Sequence, residues 1–172
     1  MGAAAPEPAP GPHDRGEATL TLATRSWTPA IGQLIDLALQ EDASFGDLTT
    51  EAVGLSGHSC SGSILSRREA VVCGLPVAEW VLERAEPDLL LEPTAGEGQK
   101  VQPDDEVARL HGPVEGVLRV ERTLLNFMMR LSGVATITRR YVEAVAGTGT
   151  RIVDTRKTLP GWRALDKYAV RV

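Results

Sequence analysis

Residues 119–147 read RVERTLLNFMMRLSGVATITRRYVEAVAG, and their apolar side chains recur at helical spacing: Leu124, Phe127, Met128, Leu131, Val134, Ile137 and Tyr141. That period predicts one long helix, or two abutting ones broken at Ser132-Gly133. Its Met and Phe stripe reads as core-packing surface rather than as a cofactor box.

What precedes this helix has a different rhythm. Short strand-like runs at Ser61–Arg67, Ala70–Cys73, Leu89–Leu91, Glu106–Leu110 and Val114–Leu118 are separated by glycines and by the turn Pro103-Asp104-Asp105. They predict a curled sheet carrying one or two helices, over residues 28 to about 118. Thr28 reads as an N-cap with Pro29 at the first helical position, and Ile31, Leu34, Ile35 and Ala38 follow at helical spacing as far as Asp42. A shorter helix starts at Pro76 and buries Val77, Trp80 and Val81. Beyond the long helix, RIVDT reads as a buried strand, RKTLPGW as a loop and ALDKYAV as a helix, the opening of a parallel α/β unit. Residues 1–27, with four prolines in the first twelve positions, read as a flexible tail.

Composition removes whole classes. Of 172 residues, 42% are hydrophobic and 24% charged, which suits a folded core. No apolar run nears the roughly 18 residues needed to span a bilayer. The net charge of −5 hides a split: residues 1–118 carry 7 basic and 19 acidic side chains, residues 119–172 carry 11 and 4. The last third is therefore +7, with apolar residues regularly interleaved, which suggests an anion site or basic interface rather than a nucleic-acid tail. Cys60 and Cys73 make no disulfide framework and no metal pattern with His58 or His111, so buried or half-buried thiols are expected. No secretory signal is apparent, and a cytoplasmic protein is the default.

Chemistry concentrates at DTRKTLPG, residues 154–161. Two hydroxyls and two cations at the end of a predicted strand sit where α/β barrels place ligands. Arg156 offers a planar fork for a carboxylate and Lys157 a mobile point charge; ordinary solvated side chains are the alternative. Arg122, read as lying at the long helix's start, would add a dipole-assisted anion site, against the blander reading of an ion pair. Glu41, Asp42 and Asp47 lack the ligand ladder of a calcium loop, and Asp47 before Thr49 and Thr50 reads as a turn or cap. His58 and His111 read as surface residues. Gly96-Glu97-Gly98 lacks the continuation of a phosphate loop, and no nucleophilic motif or catalytic residue is assigned.

Together, ALQEDASFGDLTTEAV, ERTLLNFMMRLSGVAT and DTRKTLPGWRALDKYAV resemble the decarboxylating quinolinate phosphoribosyltransferases of NAD biosynthesis, in the family's order and spacing from residue 28 onward. The resemblance implies an α/β protein: an N-terminal α/β sandwich-like domain (28–130), then the start of an incomplete α/β barrel (131–172). It implies a homodimer with shared active sites, in which Arg122 reaches into the partner's site while Thr155, Arg156 and Lys157 contact quinolinate from the same subunit. The second substrate would be phosphoribosyl pyrophosphate, accompanied by magnesium whose ligands are expected outside this chain. Quinolinate is a dianion and its co-substrate a polyanion, in keeping with the positive last third.

The family's Gly-rich stretch ending in His-Arg and its catalytic Lys follow KYAV, whereas this chain stops at Arg171-Val172. The resemblance therefore predicts a fragment without appreciable transferase activity alone. Two other readings stand beside it. GEGQKVQPDDEVARLHGPVEGVL has the rhythm of a biotinyl/lipoyl-like carrier with Lys100 as the candidate modified residue. A related phosphoribosyltransferase acting on another aromatic acid is the other, disfavoured because three cations suit a dicarboxylate better.

Overall fold

In the computed structural model, residues 29–43 and 57–172 are described. The expected Thr28 cap and the turn at Asp47, Thr49 and Thr50 lie outside them, as does the tail. Chain order is α1 (Pro29–Ala43), β1 (Ser59–Leu65), β2 (Ala70–Val71), α2 (Leu75–Ala85), β3 (Leu90–Pro93), β4 (Lys100–Val101), β5 (Glu106–Pro113), α3 (Val114–Ala144) and α4 (Arg163–Arg171). This is a mixed α/β architecture.

Strand β5 is the centre of a three-stranded antiparallel sheet, with β1 on one side and β3 on the other. Val107, Ala108 and Leu110 of β5 are buried. Gly112, next to last in the strand, has φ 144°, and a Cβ there would stand 2.5 Å from Leu89 Cδ2 and 3.1 Å from the Asp88 carbonyl oxygen. Only glycine meets both demands, the left-handed backbone and the close approach. Gly112→Ala is expected to lower the unfolding free energy by about 1–3 kcal/mol, read by urea denaturation. A midpoint equal to the parent's would contradict it.

Strands β2 and β4 form a separate antiparallel pair, held to the long helix by side chains rather than by a sheet. Thr136 Oγ1 accepts from Val71 N at 2.9 Å, and Ser132 Oγ accepts from Cys73 N at 3.0 Å while donating to the Cys73 carbonyl at 3.1 Å. Ser132 thus serves as a lateral bridge. The expected break at Ser132-Gly133 does not occur, and α3 runs continuously through positions 132 and 133. A serine hydroxyl satisfied by a neighbouring chain has no reason to open its own helix.

Two further expectations are corrected. Val114–Leu118, read as a strand, forms the first turn and more of α3, with Gly116 inside the helix. The Gly116 backbone is buried against Leu89 and Glu86, so the glycine marks close packing rather than a turn. RIVDT is not a strand: among the described residues it has no ladder partner, and Val153 is 75% exposed. A strand needs a neighbour to pair its backbone, and apolar content alone does not provide one. The described residues accordingly contain no parallel strand pair.

The core lies where α3 crosses the sheets and α2. Val77 and Val81 of α2 meet Val120, Leu124, Phe127 and Leu131 of α3, each at 2% exposure or less. Helix α1 joins this core through Ile31 and Ile35, and Arg84 of α2 grips Asp36 with a two-pronged contact of 2.7 and 2.5 Å. The stripe on α3 is core only in part, since Ile137 and Tyr141 are 50% and 60% exposed.

Candidate functional site

Helices α1 and α3 enclose a cleft of about 410 Å³ closed below by the residue preceding α4. Positions 31, 35, 38 and 42 share one face of α1, so burying Ile31 and Ile35 turns Ala38 and Asp42 toward α3. From α3, Arg122, Thr123, Asn126 and Phe127 occupy successive turns of the facing surface. The floor is aromatic: the Phe127 ring stacks on Trp162 with centroids 4.9 Å apart. Arg130 covers the indole at 5.3 Å and pairs with Asp166 at 2.9 Å. Asp166 is buried, and its second oxygen accepts from Leu159 N at 3.4 Å, which ties the turn before α4 to the long helix.

Arg122 lies in the third turn of α3, eight residues from the helix start at Val114, so the expected assistance from a helix N-terminus is absent. Its Nη1 donates to Asp42 Oδ1, an ion pair between helices. The side chain of Arg122 is 74% exposed and that of Asp42 18%. Thr155, Arg156 and Lys157 do not line this cleft. They stand in the exposed segment before α4, where Lys157 N donates to Thr155 Oγ1 at 3.1 Å and the Arg156 carbonyl accepts from Arg163. Neither the Arg156 nor the Lys157 side chain has an ion-pair partner among the described residues, whereas Arg119, Arg122, Arg130 and Lys167 each have one.

Sequence reasoning passed over Glu97. Its carboxylate accepts from Gly74 N at 2.6 Å, Leu75 N at 3.0 Å and Tyr168 Oη at 2.7 Å. It therefore supplies the missing cap of α2 and fastens α4 to it. Burial and this same carboxylate push the Tyr168 hydroxyl and the Cys73 thiol far up, so both stay protonated. The available signal was an acid flanked by glycines, Gly96-Glu97-Gly98, in a tight turn. Cys73 is buried and Cys60 half-buried, as expected. His111 is half-buried beside Glu92, at 3.2 Å. Lys100 stands inside β4, opposite Val71 and 3.0 Å from Glu69, not at a hairpin tip.

The model of the quinolinate phosphoribosyl transferase N-terminal domain matches residues 47–132, and that of the C-terminal domain matches 134–172. This chain belongs to that family. The nicotinate-nucleotide pyrophosphorylase (carboxylating) of Mycobacterium leprae is 41% identical over 138 residues, covering 78% of this chain and 49% of that protein. Among solved structures, the nicotinate-nucleotide pyrophosphorylase of Francisella tularensis matches with a TM-score of 0.78 at 33% identity, over 83% of this chain and 51% of that one. NadC of Streptococcus pyogenes matches at 0.79 and 32%, over 85% and 52%. The chain spans about half the length of these relatives. The family's N-terminal match ends inside α3, so one helix carries residues of both matched domains. Among the described residues, no helix is long and apolar enough to cross a membrane.

Proposed function

We propose that this chain carries the quinolinate-recognising part of a cytoplasmic phosphoribosyltransferase that converts quinolinate and phosphoribosyl pyrophosphate to nicotinate mononucleotide, pyrophosphate and CO2. The observation that carries this reading is the in-order match to both domains of the family, with Arg122 in the first and Arg156 and Lys157 in the second. The arrangement fits a site completed by a second copy of the chain, because Arg122 and the Arg156-Lys157 pair do not share a cleft within one copy. In that homodimer, Arg122 of one copy and Thr155, Arg156 and Lys157 of the other hold the two carboxylates of one quinolinate.

The chemistry asks little of these side chains beyond charge and placement. Guanidinium forks hold each carboxylate in plane and aim the ring nitrogen at the anomeric carbon of the sugar. Once that nitrogen is alkylated and pyrophosphate has left, its positive charge stabilises the electron pair left on the neighbouring ring carbon as the carboxylate departs as CO2, and a proton from solvent then takes the vacated position. Magnesium bound with phosphoribosyl pyrophosphate would neutralise the leaving group. Among the described residues no three His, Cys, Asp or Glu side chains gather into a cluster that could hold a metal ion.

Titration of the chain with pyridine-2,3-dicarboxylate and with pyridine-3-carboxylate tests the reading. The dicarboxylate is expected to bind about tenfold more tightly, and Arg156→Ala to remove most of that preference. Equal affinity for both acids would count against it. The carrier reading predicts a biotin or lipoyl adduct in the intact mass, and the placement of Lys100 within a strand gives it no support.

A further inference from the structure

The Asp42–Arg122 pair contains more than neutralisation. We infer that Asp42 is a positioning residue, holding the Arg122 guanidinium at the cleft mouth by one nitrogen so that the edge formed by Nε and Nη2 is presented to an acid. The inference rests on the proposal that Arg122 receives a carboxylate of quinolinate.

Three observations carry it. The contact is one-pronged, Nη1 to Oδ1, and among the described residues Nε and Nη2 have no protein partner. The edge left over is the one that matches a carboxylate with two parallel hydrogen bonds. The holder is the better anchored member: Asp42 is 18% exposed against 74% for Arg122. Behind it, α1 is fixed by buried Ile31 and Ile35 and by the two-pronged Arg84–Asp36 contact. An exposed arginine on an otherwise unrestrained stem samples many rotamers, and a ligand must freeze them on binding. A carboxylate already holding one nitrogen removes much of that cost beforehand.

Asp42 sits 80 positions from Arg122 in sequence, on the last turn of α1. A one-pronged grip from an anchored residue differs from a two-pronged pair such as Arg84–Asp36, where Nε and Nη2 are both already occupied and the matching edge is closed. The two arginines in this region thus have opposite states, one sealed and one open.

The test uses the whole chain labelled with 15N-arginine, comparing Asp42→Asn, Arg122→Lys, Arg122→Ala and the double variant Asp42→Asn/Arg122→Lys. Asparagine keeps the size of the side chain but loses its charge. The Arg122 Nε–H is expected to be ordered in the parent and mobile in Asp42→Asn. Affinity for pyridine-2,3-dicarboxylate should fall about fivefold in Asp42→Asn. Adding Asp42→Asn to Arg122→Lys should cost nothing further, because lysine has no fork to orient; a general structural role for Asp42 would cost the same in both backgrounds. An Arg122 Nε–H that stays ordered in Asp42→Asn overturns the inference, as does tighter binding, which would make Asp42 a competitor of the ligand. If Arg122→Ala binds the dicarboxylate as well as the parent, the underlying reading of Arg122 falls, and this one with it. If Arg122→Ala binds weakly but Asp42→Asn binds normally, only the positioning role is lost.

Discussion

Replacing Glu97 by alanine is expected to lower the unfolding free energy by about 3 kcal/mol, since hydrogen bonds to a charged group are worth about 1.5–3 kcal/mol each and are not additive. One carboxylate serves three donors: the amides of Gly74 and Leu75 and the hydroxyl of Tyr168. Gly74 has no side chain with which to cap α2, so without Glu97 the first amides of that helix lose their acceptor. Tyr168 is 3% exposed and cannot turn its hydroxyl to water without shifting α4. Glu97→Gln keeps one carbonyl oxygen and should lose about half as much, while Tyr168→Phe should cost less in the Glu97→Ala background than in the parent. Urea denaturation followed by circular dichroism gives these values. Equal midpoints for Glu97→Ala and the parent would show that water replaces the carboxylate without loss.

The second large effect is at Phe127. Its ring is 2% exposed and stacks on Trp162. Phe127→Ala is expected to cost about 3–5 kcal/mol, the range for removing a large aromatic from a core. The damage should extend beyond the cavity. Trp162 loses its stacking partner, and with it the platform beneath Arg130, so its fluorescence should move toward that of an indole in water while the protein is still folded. Phe127→Leu refills most of the volume without restoring the stack, and should therefore recover stability more fully than fluorescence. A spectrum equal to the parent's in Phe127→Ala would mean that Trp162 is held by other contacts.

How much of this was legible depended on whether a residue's partner lies near it in sequence. Helical period found α1, α2 and most of α3 because the signal repeats every few residues along the same strip of chain. It named Leu124, Phe127, Met128 and Leu131 as core, and they are buried. It misjudged the far end of the same stripe, where Ile137 and Tyr141 face outward, because period reports which residues share a face and not whether that face is covered. The strand read at RIVDT failed for the same reason. At Val114–Leu118 local β-propensity gave way to continuation of the helix that follows.

The site divides along the same line. Arg122, Thr155, Arg156 and Lys157 could be picked out by residue type, motif and family resemblance. Asp42 as the partner of Arg122, and Glu97 as the partner of Gly74, Leu75 and Tyr168, could not. Both are acids in polar surroundings, and their meaning comes from residues between 22 and 80 positions away. Only the folded chain supplies those pairings.

The unbroken course of α3 has a consequence for how such a protein can change over evolutionary time. Its 31 residues hold Arg122, the aromatic floor at Phe127, the clasp on Asp166 at Arg130 and the bridges at Ser132 and Thr136. They turn toward α1, toward Trp162 and α4, and toward the β2 segment, so their angular order around the axis is fixed. One inserted or deleted residue rotates everything beyond it by about 100° and would aim each of those groups at the wrong neighbour. Point substitutions can accumulate along this rod, but its length in residues cannot drift by one.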